Sequence, residues 1–247
     1  MSKGLVLVTG AGRRVGAAIA RRLAQDGWSV GVHFRASHAE ADAVIQSIRT
    51  AGGDAHGFAA DLANSDSIDA MAATLHARGD WVGLVNSAAS FEQDDLSSFA
   101  FAAAQVQLRL NLIAPVYLAR ALAAAKPAHG FVINIADQKV LNPNPDFLSY
   151  TLSKLGLAAA TDTLAMALAP NIRVNCIAPG LMLPSGEQTE ANFARVHGQT
   201  LTGSGATLDD VAEAALFFAN ARNITGAFLS VDGGQHLVRS ARDVMFT

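Results

Sequence analysis

Short runs of β-branched and apolar residues recur along this chain, separated by longer alanine-rich stretches whose apolar positions repeat with helical period, and that alternation leaves few folds open. The runs at 4–9, 29–34, 54–60, 81–86, 130–135, 171–178 and 227–231 read as strands. The stretches near 14–26, 38–51, 65–77, 100–125, 148–168 and 208–220 read as helices between them. Strands this apolar need cover on both faces, so the expected class is α/β: a doubly wound parallel sheet joined by crossover helices. With 51% hydrophobic and 16% charged residues, the chain has enough apolar material for such a core. No repeat or low-complexity linker divides it, and one domain over residues 1–247 is expected. The region of about 180–206 lacks clear periodicity and carries Pro184 and glycines at 186, 198 and 203. It reads as a lid with a short helix near 188–197, an ordinary surface loop being the alternative.

Several classes of partner are disfavoured by composition. The formal charge of −3 leaves no basic surplus for a phosphate backbone, so nucleic acid is not expected. Cys176 is the sole cysteine, which excludes an internal disulfide and a multi-cysteine zinc site; no metal is expected, and a reducing, cytoplasmic setting fits. No uninterrupted apolar stretch reaches the roughly 18 residues of a membrane span. Leu5 to Val8 is too short for a signal-peptide core, and Arg13-Arg14 follows it instead of preceding it.

Two places carry chemistry. The first strand runs into Thr9-Gly10-Ala11-Gly12-Arg13-Arg14-Val15-Gly16 and then a helix. Glycines there let the backbone turn tightly and approach a pyrophosphate, whose charge the helix start favours. At the end of the second strand, an NAD site would place an acidic residue against the ribose hydroxyls. The chain has His33-Phe34-Arg35-Ala36-Ser37 instead. Arg35, Ser37 and an arginine of the first turn form a donor set suited to the 2′-phosphate of NADP(H), the alternative being a solvated strand-end charge. Asp61 ends the third strand where an adenine amino group could donate to it, and Asn86-Ser87-Ala88-Ala89 ends the fourth beside a cofactor ribose. Farther along, Tyr150 and Lys154 stand four apart on one helix face, where an ammonium is expected to lower the phenol's pKa. Asn111 interrupts a long apolar helix, and Asp137 follows the fifth strand at the edge where ligands bind in such sheets.

Taken together, these residues resemble the short-chain dehydrogenase/reductase family over essentially the whole chain: Thr9-Gly10 with Gly16, Asp61-Leu62, Asn86 to Ala89, Asn111, Tyr150 with Lys154, Asn175 with Pro179-Gly180, and Val231-Asp232-Gly233-Gly234. The resemblance implies a seven-stranded Rossmann-like sheet, a dimeric or tetrameric assembly and a small-molecule substrate. It implies cofactor contacts from Gly10, Arg13, Arg14, Val15, Gly16, Arg35, Ser37, Asp61, Leu62, Asn86, Ser87, Ala88, Tyr150, Lys154, Pro179 and Gly180. Tyr150 would donate the proton, Lys154 would bind the nicotinamide ribose and tune the tyrosine, and Asn111 would join a water-linked relay. Most members have serine where this chain has Asp137, and a carboxylate there would repel a developing alkoxide. The pteridine-reducing branch is similar in having aspartate at this place, an arginine like Arg14 and an aromatic like Phe91. Arg14, Phe91, Asp137, Tyr150 and Leu181 would then contact a pterin. Asn-Ser-Ala-Ala departs from the common Asn-Asn-Ala-Gly, and Ala89 stands where some pteridine reductases have serine. Reduction of carbonyls such as 3-oxoacyl thioesters, and a non-catalytic NADP(H) sensor, are the alternatives.

Overall fold

Strand β1 (Leu5–Val8) shows how these apolar runs are used: all four residues are fully buried, Val6 and Val8 toward one helical layer and Leu5 and Leu7 toward the other. In the computed structural model, which describes residues 2–184 and 188–246, six further strands join it. They are β2 (Ser29–Phe34), β3 (Asp54–Ala59), β4 (Trp81–Asn86), β5 (Gly130–Ile135), β6 (Ile172–Pro179) and β7 (Phe228–Val231). All pair in parallel, in the order β3-β2-β1-β4-β5-β6-β7. The order reverses between β1 and β4, and a crevice opens at their carboxyl ends, the usual ligand position in such a sheet.

Helices α1 (Arg14–Gln25), α2 (His38–Thr50) and α8 (Leu208–Asn220) cover one face. On α1 the buried positions Gly16, Ile19, Ala20, Leu23 and Ala24 recur at helical spacing, which defines the stripe laid on the sheet. Helices α3 (Ser65–Arg78), α5 (Ala114–Ala124) and α6 (Leu148–Leu168) cover the other face. Their ends follow from local chemistry. The Asn64 side chain accepts from the Asp66 and Ser67 amides to start α3, Gly79 at φ +75° ends it, and Thr207 with Asp210 forms a capping box for α8.

The strand and helix positions read from the sequence agree with these to within two residues, with one difference of kind. The stretch expected as a single helix over 100–125 is three pieces: α4 (Phe101–Leu108), a π-helical turn at Arg109–Ile113, and α5. The region of about 180–206 contains α7 (Glu190–His197), close to the expected short helix; residues 185–187 of that region, including Gly186, lie outside the described ones.

Candidate active site at the carboxyl end of the sheet

The glycine turn is built by close packing against the end of β4. Gly10 has φ +65°, and a Cβ on it would stand 2.9 Å from Ala88 Cα; a Cβ on Gly16 would stand 2.5 Å from the Gly10 carbonyl. Thr9 Oγ1 accepts from the Ser87 and Ala88 amides at 2.9 and 3.0 Å, which ties the two loops together. Behind the turn, the Gly10 amide donates to His33 Nδ1 at 3.0 Å, and His33 Nε2 lies 3.1 Å from the Ala60 carbonyl. This pattern assigns the proton to Nε2 of a neutral ring. Burial pulls the His33 pKa down to about 4, which agrees with that state.

Cationic groups flank this turn. Arg13 caps α1 in extended conformation, while Arg14 adopts φ +52° and reaches the Pro184 carbonyl with both terminal nitrogens, at 3.3 and 3.4 Å. Arg35, just past β2, is exposed, and among the described residues neither its guanidinium nor that of Arg13 has a hydrogen-bond or ion-pair partner. Ser37 sits at the start of α2 with its hydroxyl unused as a cap. Asp61 is exposed and accepts from the Ala63 amide at 2.9 Å. The side chains of Leu62 and, in part, Val15 belong to the core, which leaves their backbones as the groups able to address a ligand. Asn86 is buried, and its amide nitrogen is spent on Asn134 at 2.8 Å, in a chain that continues to Thr161; its Oδ1 is buried without a partner. At the far side, the Gly180 amide donates to the Val231 carbonyl just past Pro179, and the Leu181 amide to Gln235 Oε1.

The Tyr150 hydroxyl donates to Asp137 Oδ2 at 2.9 Å, and the Lys139 amide donates to Asp137 Oδ1 at 2.9 Å. Lys154 Nζ donates to the Ile135 carbonyl at 2.7 Å and stands 5.6 Å from the Tyr150 ring centre. The expectation that lysine lowers the phenol's pKa is overturned in this arrangement. Burial, then the charge and hydrogen bond of Asp137, hold the Tyr150 pKa well above its ordinary value. The carboxylate is bonded to the phenol, whereas the ammonium lies off its ring. Burial likewise raises the Asp137 pKa and lowers that of Lys154 to about 8. Both shifts favour the protonated forms of Tyr150 and Asp137, whose side chains share one hydrogen bond.

Asn111 sits inside the π turn, fully buried. Its Nδ2 donates to the Ser90 carbonyl at 2.9 Å and to Ser153 Oγ at 3.0 Å, and its Oδ1 accepts from the Ser90 amide at 2.8 Å. The side chain thus clamps the loop carrying Phe91 to α6. Phe91 is 37% exposed, so it is not a core aromatic. Its ring stacks on Phe147 at 4.2 Å and meets Tyr150 edge-on at 4.7 Å.

A family model described as enoyl-(acyl carrier protein) reductase, of the short-chain dehydrogenase type, matches residues 10–236. The chain belongs to the short-chain dehydrogenase/reductase family. A crystal structure of FolM alternative dihydrofolate reductase 1 from Brucella canis, complexed with NADP, superposes on this family member with a TM-score of 0.92 at 38% identity, over 98% of this chain and 97% of that one. A 3-oxoacyl-[acyl-carrier-protein] reductase of Synechocystis is 32% identical over 93% of this chain and 96% of the relative. A dihydromonapterin reductase of Klebsiella pneumoniae is 27% identical over 94% and 96%.

Three residues of this dehydrogenase/reductase site escaped the sequence reading. His33 carried a weak signal, as the lone ring nitrogen pair in a strand buried along its whole length. Lys139 and Phe147 carried none, since the first is a buried lysine and the second owes its place to φ +56° at the start of α6.

Proposed function

We propose that this enzyme is an NADPH-dependent reductase of a ring C=N bond in a dihydropterin or folate-type substrate. The observation that carries the reading is the hydrogen-bonded Tyr150–Asp137 pair, 2.9 Å long, at the carboxyl end of β5. Reduction of C=N requires a proton on nitrogen, and a pterin also presents N–H donors that a carboxylate can accept. Asp137 can do both, depending on its protonation, and its raised pKa keeps the acid form accessible.

The site suits the cofactor. Gly10 and Gly16 shape the turn, and Arg13 and Arg35 present unpaired guanidinium groups fitted to a 2′-phosphate. NADPH, when bound, supplies the hydride. Lys154 presents an ammonium beside the proton-transfer pair, Tyr150 holds a proton next to the Asp137 carboxyl, and the exposed part of Phe91 offers a surface on which a flat ring can stack. Arg14 and Leu181, at the lid, are the remaining proposed substrate contacts. Exposed Phe101, Val106, Ile113, Leu152 and Leu155 along α4, the π turn and α6 support assembly into a dimer or tetramer.

Oxidation of NADPH in the presence of dihydrobiopterin, dihydromonapterin, dihydrofolate and an acetoacetyl thioester tests the substrate. Turnover is expected on at least one pteridine, and Asp137→Ser should lower its kcat/KM about 100-fold. Turnover on the thioester alone, retained in Asp137→Ser, would establish the carbonyl-reductase reading instead.

A further inference from the structure

Past β7, the segment Arg242–Phe246 packs against the loop between Asp137 and α6 and buries the Asp243 side chain there. Lys139 is only 2% exposed and Asp243 only 7%, and their side chains pair at 2.8 Å. Lys139 Nζ also donates to Asn144 Oδ1 at 2.7 Å and to the Asp146 carbonyl at 3.3 Å, and lies 5.6 Å from the centre of the Phe147 ring. The Asp243 amide donates to Asp146 Oδ2 at 2.6 Å, and Arg242 pairs with the same carboxylate at 2.8 Å. Phe246 stacks on Phe147 at 6.0 Å, which in turn stacks on Phe91. Withdrawing an ammonium and a carboxylate from water is costly for each ion, so such a pair is a poor way to gain stability but a good way to fix geometry. What it fixes is visible: the amide of this same Lys139 is the donor that holds Asp137 Oδ1, opposite the bond from Tyr150.

We propose that the buried Lys139–Asp243 ion pair is a positioning device for the reaction, pinning the turn that aims Asp137 at Tyr150 and tying segment 242–246 to proton transfer. The inference rests on the reading of Asp137 as a proton-transfer group. The charged and titratable groups around Asp137 are Lys139 on its own turn, Tyr150 and Lys154 on α6, and Asp243 from the inserted segment. Asp243 compensates the Lys139 charge. Without it the lone ammonium would favour the Asp137 carboxylate and pull that group's pKa down. Where a protonated Asp137 is required, activity is present below its pKa, so the limb falling with rising pH would move to lower pH.

Three variants test this: Asp243→Asn, Asp243→Glu, and the double change Lys139→Met with Asp243→Leu, which leaves no lone buried charge. Activity is read on whichever substrate of the panel the parent reduces, so a parent active only on the thioester counts against the pterin reading alone. The 13C carboxyl titration of Asp137, assigned against Asp137→Asn, needs no turnover. We expect Asp243→Asn to lower kcat about tenfold with an NADPH Kd within about twofold of the parent, and to move the Asp137 titration and the falling limb down by about half a pH unit or more. Asp243→Glu should recover part of the rate. The double variant should melt near the parent temperature yet stay about tenfold slow. A double variant with parental rate and pH profile, or an Asp137 titration unmoved by Asp243→Asn, would overturn the proposal and leave the pair a role in folding only. If Asp243→Asn does not fold, the double variant decides.

Discussion

Asp137 illustrates how one residue changes what a shared scaffold can do. A hydroxyl in its place could only polarise, whereas a carboxyl group held by the Lys139 amide on one oxygen and the Tyr150 hydroxyl on the other can carry a proton. Its effect on Tyr150 also shows why sequence spacing alone misjudges a pKa: the helix places Lys154 near the phenol, but a partner thirteen residues away in sequence is the one bonded to it. Arg35 stands free. Its guanidinium, without a protein partner among the described residues, can meet a phosphate without breaking an existing pair. Arg35→Asp is expected to weaken NADPH binding about tenfold or more and to narrow the preference over NADH, since a carboxylate repels phosphate but accepts from ribose hydroxyls. Fluorescence titration with both nucleotides checks this, and equal affinities of the parent for the two would remove the assignment.

At the scale of elements, the decisive feature is the π turn at Arg109–Ile113 between α4 and α5. An extra residue in a helical turn re-aims the side chains it carries, and here Asn111 is buried against Ser90 and Ser153. The element thereby joins the loop after β4, with Phe91, to α6, with Tyr150. Asn111→Ala would leave the Ser90 amide and carbonyl without their partner, at a cost of about 1–3 kcal/mol per buried group, and would release Phe91 from its place. Urea unfolding should show that loss, and kcat/KM should fall more than roughly tenfold, since small displacements of positioning groups are expensive in rate. A variant of full stability and full rate would show that the clamp is dispensable.

For the molecule as a whole, stability and site construction meet at His33, which bridges the glycine turn after β1 and the Ala60 carbonyl past β3 as a neutral ring. Its pKa is about 4 in the fold against 6.5 as the ordinary value, so between those limits the unfolded chain binds more protons than the folded one. The stabilisation is complete above pH 6.5 and is lost as pH falls toward 4, by at most about 3 kcal/mol from this group. Urea unfolding at a series of pH values should show that slope. In His33→Gln, which keeps a donor and an acceptor but cannot titrate, the slope over this window should flatten, and an unchanged slope would assign it to other groups.

Strand and helix positions were legible along the chain because strands covered on both faces show as short continuous apolar runs, while helices buried on one face repeat their apolar residues with a period of 3.6. The places of the glycine turn, of Arg35 at a strand end and of Tyr150 and Lys154 on one helix were legible because each lies within a short local pattern. The short helix at Glu190–His197 was readable near its observed bounds, while the split of the 100–125 helix was not, because an added residue in one turn leaves the apolar period almost intact. What lies between distant segments left no trace in any window: the clamp of Asn111 on Ser90, the contact of Asp137 with Tyr150, and the passage of Asp243 to Lys139 across about a hundred intervening residues. Local pattern records the free energy of burying a face, which neighbours in the chain share. The protonation and aim of a buried group depend on which charges and dipoles the fold brings within a few ångströms of it, and only packing settles that.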